Sequence, residues 1–266
     1  MAFVNAAPMW LIPAGVLLLI AAATEAGFRC GRRCEESDRT QIALDASGAI
    51  KGAILGLGGL VLAFSYGMAL ARFEERTQIV VREAQALGAC REMADLLPEP
   101  DRGRLLSAVR SAVEARLRLF RESTDRGTYR RISAEIDSAV GTLWDIASAA
   151  FAREEKPERL SRLLEAASRA SSTEKERAAA VRNQMPAALL VLLVLSVMVT
   201  GFLMGHSSGQ VGRRNWILWD ALVLLMVLVF SAVVDLDQPN RGLIRVDHRP
   251  LEQLLESMDR HGAPAA

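Results

Sequence analysis

The chain has 266 residues, of which 51% are hydrophobic and 24% are charged, and its formal net charge is +1. A charge this close to neutral excludes a chain-wide attraction to nucleic acid, so we expect no nucleic-acid partner. The combination of many apolar and many charged residues indicates that the two classes occupy different parts of the chain.

Four apolar runs have the length of membrane-spanning helices. They cover residues 10–28, 52–71, 185–205 and 216–234. Because about 20 apolar residues cross the hydrocarbon core of a bilayer as a helix, these runs predict a four-span membrane protein in contact with lipid. The residues before the first run include no Lys or Arg, so the run is interpreted as a span rather than a cleaved signal peptide.

Two cysteines in "CGRRC" follow the first run. Cys30 and Cys34 have no further metal ligands nearby in the sequence, and their helical spacing suits a disulfide poorly. We therefore predict two free thiols there, whereas Cys90 is predicted to lie in the core of a soluble helix.

Small residues recur every three or four positions along the second run. They are Gly48, Gly52, Gly56, Gly59, Ala63 and Gly67. Such a stripe lets helix backbones approach closely, either inside one subunit or between copies of the helix around an axis. In the second case Gly56, Leu60 and Phe64 lie on the face toward that axis, where an apolar constriction gates by dewetting.

The stretch between the second and third runs lacks strand signals and shows amphipathic helical stripes. The second span is predicted to continue as a helix to Pro98 and Pro100, followed by helices at residues 101–122 and from Thr128. A fourth begins at "KPERL" and is expected to continue into the third span. These stripes predict an antiparallel bundle formed partly by extensions of the spans.

The predicted fold class is therefore an all-α membrane protein with four transmembrane helices and a helical bundle between spans two and three. The segments are 1–47, the first transmembrane helix and a short loop; 48–76, the second, pore-lining transmembrane helix; 77–184, the soluble bundle; 185–234, the third and fourth transmembrane helices; and 235–266, a tail with a turn motif and an amphipathic helix.

Asp220 is the acidic residue inside the fourth run. An acid within a membrane is a candidate for function, including a carrier mechanism, while the alternative is pairing with Arg213 or Arg214 near the interface. The three histidines are scattered, and no nucleophile elbow, phosphate loop or metalloprotease motif occurs. We therefore expect neither an enzyme nor a cofactor.

The tail opens with "VDLDQPNRGLIRV". Asp235 and Asp237 offer oxygen ligands for a hard cation, although the spacing of a calcium-binding EF-hand is absent. Alternatively, both accept backbone N–H groups in a turn shaped by Pro239 and Gly242. The second interpretation is preferred, so no metal site is predicted. A short amphipathic helix follows, with Pro250 in its first turn.

Three stretches carry a resemblance to a known family. "LAFSYGMALARF" (residues 62–73) resembles the second-span signature of bestrophins, with Leu62, Phe64 and Arg72 matching. Residues 56–76, "ADLLPEP" and "DLDQPNRGLIRV" together are similar to bacterial bestrophin-like membrane proteins. The tail motif is the most specific of these matches.

The resemblance implies a pentameric anion channel in a bacterial inner membrane, with chloride as a permeant ion and the second span lining the pore. The apolar neck positions of bestrophins fall on Gly56, Leu60 and Phe64, of which Phe64 alone is aromatic. Bestrophins also carry an acidic calcium site after the fourth span, for which Asp235 and Asp237 are too few.

The resemblance also implies that the bundle and both termini are cytoplasmic, whereas the distribution of arginines slightly favours the opposite orientation. The alternative function is a non-conducting sensor or scaffold whose bundle binds a ligand or a protein partner.

Overall fold

The structure is a computed structural model that describes residues 11–33, 41–122, 126–154, 158, 160–183, 185–211, 216–237, 244 and 246–262. Side chains are described for all of these except residues 12, 41–47, 126, 181–182, 211, 216–220 and 261–262. This part of the chain forms α-helices and contains no strand, which confirms the all-α prediction. The helices are α1 (Leu11–Arg33), α2 (Gln41–Met93), α3 (Asp101–Glu122), α4 (Arg126–Arg153), α5 (Ser161–Arg182), α6 (Ala187–Val211), α7 (Trp216–Asp237) and α8 (Arg249–Gly262).

Within the described residues, three helical segments are long and apolar enough to cross a membrane. They are Pro13–Arg33, Gly48–Leu96 and Ala187–Gln210, and they contain most of the first three predicted spans. The fourth predicted run forms α7, whose first five side chains lie outside the described set.

Helix α2 contains 53 residues and continues well beyond its apolar part, as the sequence predicted. It passes through a 3-10 turn at Ala94–Leu96 and stops at Leu97, which has extended backbone angles. The next residue is Pro98, and a proline disfavours a helical conformation in the residue before it.

The prediction that the last bundle helix continues into the third span is wrong. Helix α5 ends at Arg182, where the Asn183 N–H donates to the Ala179 carbonyl over 3.0 Å, and α6 begins only at Ala187. Pro186 explains the break, since its ring removes an N–H donor and disfavours helix at Met185. The Pro186 carbonyl then accepts the Leu189 N–H at the start of α6.

The chain divides into two compact units, and the division falls within α2. Unit 1 comprises Met1–Arg72 and Gln184–Ile244, and unit 2 comprises Phe73–Asn183 and Arg245–Ala266. In unit 2 the predicted apolar stripes form a core that includes Leu87, Leu105, Val109, Ile132, Ile136, Leu143, Leu163 and Leu251, each at most 1% exposed. Full burial of such a side chain contributes roughly 1.5–3 kcal/mol.

The periodicity of α4 predicts Trp144 on its apolar stripe, together with Leu143. Trp144 is instead 40% exposed, while its neighbour Leu143 is fully buried. Adjacent helical residues point about 100° apart, so Leu143 and Trp144 face different directions.

In unit 1, α1 and α6 pack with their backbones in contact. A Cβ atom added at Gly27 or Gly31 would overlap the carbonyl oxygen of Phe202 or His206, and one added at Gly205 or Gly209 would overlap that of Thr24 or Phe28. This contact was not among the predictions from the sequence. The sequence does contain a signal for close packing by α6, because Gly201, Gly205 and Gly209 repeat every four residues, the spacing that permits it.

Candidate functional site

The residues proposed to line a pore lie together on an exposed face of α2. In the single chain Leu60 is 50% exposed and Phe64 is 65% exposed, and Gly56 is exposed on the same face. Successive positions four apart on a helix share a face, so these three form one line.

The opposite face of α2 is buried. Leu62, Ser65 and Ala69 are 8%, 2% and 0% exposed, respectively. One turn before Leu62, a Cβ at Gly58 would lie 3.1 Å from Thr200 Oγ1, so α6 approaches this face closely. Helix α2 therefore has one face packed inside the chain and one face that is not.

The small-residue stripe of α2 is open in the single chain. A Cβ added at Gly48, Gly52, Gly56, Gly59 or Gly67 would meet no described atom within 4 Å, and Ala63 is also exposed. The described residues thus do not use this stripe for packing inside one subunit. Close packing by glycines occurs instead between α1 and α6.

The two aspartates of the tail motif hold backbone groups in unit 1. Asp235 is 6% exposed, and its Oδ2 accepts the N–H of Ile244 over 2.9 Å. Asp237 Oδ2 accepts the N–H of Met185 over 3.3 Å, and its Oδ1 lies 3.7 Å from Nη1 of Arg72. Asp237 therefore connects the end of α7 to α2 and to the residues that precede α6.

Each aspartate thus accepts a backbone N–H, from Ile244 in the tail for Asp235 and from Met185 outside the tail for Asp237. The predicted turn residues Pro239 and Gly242 lie outside the described residues. Among the described side chains, no group of three or more His, Cys, Asp or Glu residues could hold a metal ion.

A family model for the bestrophin-like domain matches residues 18–251. The chain belongs to the bestrophin-like family. No curated protein and no solved structure matches it. The matched range of this bestrophin-like chain includes the exposed face of α2, both tail aspartates and the backbone at Asp220 in α7. The side chain of Asp220 is outside the described set, so its role stays a prediction.

Unit 2 of the bestrophin-like chain contains a buried network of four charges that the sequence analysis did not identify. The Arg116 side chain is 1% exposed, and its Nε donates to Glu83 Oε1 over 2.7 Å while Nη2 contacts Glu174. Arg177 Nη1 lies 3.4 Å from Glu83 Oε2. The network joins α2, α3 and α5 with two charges of each sign.

The charges in this network shift the pKa values of both arginines. Burial disfavours the charged form of Arg116, but attraction by Glu83 and Glu174 outweighs it, so the pKa of Arg116 is raised. Burial and the like charge of Arg116 lower the pKa of Arg177. Arg116 is the cation that contacts both carboxylates.

His248 lies beside this network in unit 2, with its ring against that of Phe120. Neither ring nitrogen has a hydrogen-bond partner among the described residues. Burial, together with the charges of Arg177 and Arg116, lowers the pKa of His248 to about 3 despite the opposing effect of Asp247. The imidazole is consequently neutral at neutral pH.

Proposed function

We propose that this bestrophin-like protein assembles with copies of itself around an axis and forms an anion-conducting pore in a bacterial inner membrane. In the proposal α1, α2, α6 and α7 are the four spans, and the line of Gly56, Leu60 and Phe64 on α2 faces the axis. It assigns no catalytic role and no cofactor.

The exposed face of α2 is the observation that carries the proposal. It combines two large apolar side chains, Leu60 and Phe64, with a stripe of glycines that no described residue of the same chain contacts. Glycines at such spacing let neighbouring helices approach closely, which a ring of α2 copies requires. Membership of the bestrophin-like family supports the same assignment.

Ion flux through the purified protein in liposomes tests the proposal. We expect wild-type protein to release trapped chloride and Phe64→Ala to change the rate, because removing an aromatic ring widens an apolar constriction. Leu224→Ala is the matched control, since Leu224 is 59% exposed but belongs to α7, a helix that the proposal does not place at the axis. Absence of flux under all conditions would contradict the proposal.

The sign of the permeant charge requires its own measurement. Exposed Glu74 and Glu75 follow the apolar part of α2, and rings of acidic side chains favour cations. The reversal potential under a chloride gradient separates the two signs. We expect an anion-selective value, and a cation-selective value would contradict the anion assignment.

Oligomer mass tests the assembly independently of conduction. Native mass spectrometry is expected to give five copies of the 28.9 kDa chain. A monomer or dimer would contradict a ring of α2 helices and favour the alternative function below.

The proposed topology places unit 2 and both termini in the cytoplasm and the end of α1 on the other side. Cys30 is exposed on α1, whereas Cys90 is buried, so a membrane-impermeant maleimide reports on the α1 end. We expect labelling in intact spheroplasts that is lost in Cys30→Ser/Cys34→Ser. Adding Ser138→Cys, on an exposed position of unit 2, should restore labelling only after lysis. The reverse pattern would invert the topology.

The alternative is a non-conducting sensor whose helical unit binds a small ligand. A cleft of about 540 Å³ between α2 and α5 favours it, lined in part by Arg82, Arg162 and Arg169. The cleft is largely charge-balanced, since Arg82 pairs with Glu176 at 3.0 Å and Arg169 pairs with Glu165 at 2.6 Å. A monomeric protein without flux would support this alternative.

A further inference from the structure

Lys51 is a cation at the edge of a membrane-spanning segment. It lies in α2 directly before the uncharged residues 52–71 and is half-buried. Its Nζ donates to Oε1 of Gln210 over 2.9 Å, and none of the described carboxylates forms an ion pair with it. An ammonium group has three donors, so among the described residues this contact satisfies one donor and leaves the charge without a counter-ion.

His206 lies one helical turn before Gln210 and therefore on the same face of α6. Its Nδ1 atom is buried and has no hydrogen-bond partner among the described residues. Lys51 is close enough to interact with it electrostatically. An ammonium and an imidazole thus lie together at one end of unit 1, each with a donor or acceptor position that no described protein group satisfies.

The end of α1 adds further positive charge at this level of unit 1. A Cβ at Gly209 would lie 3.0 Å from the backbone N of Arg32, and Arg32 itself is exposed. Arg29, one turn earlier, is paired with Glu25 at 2.9 Å. Lys51, Arg32 and Arg33 are therefore cations at this end for which the described carboxylates form no ion pair.

This cluster is separate from the proposed pore face. At 100° per residue, Lys51 and Leu60 lie on opposite sides of α2. Lys51 points toward α6, as its contact with Gln210 shows, whereas Leu60 and Phe64 are exposed. A ligand held by Lys51 would occupy the contact between α2 and α6.

We propose that Lys51, His206 and Gln210 form a binding site for a phosphate group, supplied by an anionic lipid headgroup or by free phosphate. An uncompensated cation at the edge of the hydrocarbon region is costly, and a bound anion removes that cost. The edge of a span is also the depth at which lipid phosphates lie and at which lysines reach them. The site does not require that the protein conducts ions.

Ligand-dependent thermal stability of protein stripped of lipid in a neutral detergent tests the site. We expect phosphatidylglycerol, but not diacylglycerol, to raise the unfolding temperature of wild-type protein by several degrees. Lys51→Met should lose most of that increase, and Lys51→Arg should retain most of it. Arg29→Gln is the control for a general effect of positive charge, and it should behave like wild type.

Glycerol phosphate, which has no acyl chains, separates the two sources. If it stabilises the wild type as well as the lipid does, the ligand is free phosphate; if only the lipid acts, the ligand is a headgroup. Equal increases in wild type and Lys51→Met, or no increase with either compound, would overturn the site. Each measurement compares unfolding temperatures with and without the ligand. Its outcome therefore does not depend on whether the protein conducts ions in the flux experiments.

Discussion

Glu83 on α2 and Arg116 on α3 form a buried ion pair in which Nε and Oε1 are 2.7 Å apart and the side chains are 5% and 1% exposed. Removing two charges from water is costly, so such a pair persists only where each charge is well compensated. Here Glu174 and Arg177 complete the compensation, and this makes the network sensitive to loss of any one member.

Arg116→Met should destabilise unit 2 strongly. The substitution keeps an apolar chain of similar length but deprives buried Glu83 and Glu174 of the cation that contacts both of them. We expect a loss of about 3–5 kcal/mol, the usual cost of breaking a buried pair. Arg118→Met removes an exposed pair with Glu135 and should cost less than about 1 kcal/mol. Denaturant unfolding in detergent measures both, and equal effects would contradict the assignment.

Gly205→Ala should disrupt the contact between α1 and α6, because the added methyl group overlaps the carbonyl of Thr24. We expect a loss of about 1–3 kcal/mol, as for other overpacked sites. Gly59→Ala is the matched substitution on α2, where a Cβ meets no described atom within 4 Å. It should leave thermal stability of the chain unchanged, and a lower oligomer mass for this variant alone would indicate packing between copies. An unchanged unfolding temperature for Gly205→Ala would refute the contact.

Stability should decrease on acidification through the titration of His248. Its pKa is about 3 in the folded protein instead of the usual 6.5, so the unfolded chain binds more protons between these values. The stabilisation is complete above pH 6.5 and is lost progressively as the pH falls toward 3. His248→Asn should flatten this slope, measured as the difference in unfolding temperature between wild type and variant from pH 7 to pH 5. Parallel curves would contradict the assignment.

Asp235→Ala should destabilise unit 1 more than Asp235→Asn does. Alanine leaves the N–H of Ile244 without its acceptor, at a cost of about 1–3 kcal/mol, whereas the asparagine carbonyl can still accept it. Unfolding temperatures of the two variants, each measured with calcium and with a chelator, test this. A calcium-dependent increase in wild type that both variants lose would restore the cation interpretation.

Helix boundaries that depend on residues close together in the sequence were largely predictable. Helix α3 begins and ends where the pattern placed it, at Asp101 and Glu122, and α2 continues to the prolines as expected. The break before α6 was not predicted although Pro186 signals it, because helical patterns on both sides, amphipathic before and apolar after, outweighed a single proline.

Side-chain contacts between residues far apart in the sequence could not be predicted from local patterns. Glu83 and Glu174 lie 33 and 58 positions from Arg116, so no local pattern joins them. The same applies to Lys51 and Gln210, which are 159 positions apart. By contrast, the line of Gly56, Leu60 and Phe64 could be predicted from the sequence, because its members are spaced four residues apart within one helix.

The contact between α1 and α6 limits how the spans can move. Side chains at an ordinary helix interface can change rotamer and let the helices slide, but Gly27, Gly31, Gly205 and Gly209 place backbone directly against backbone. Such an interface has a single register, since any shift along the axis brings Cα and carbonyl atoms into collision. We therefore expect α1 and α6 to move together as one rigid pair within unit 1.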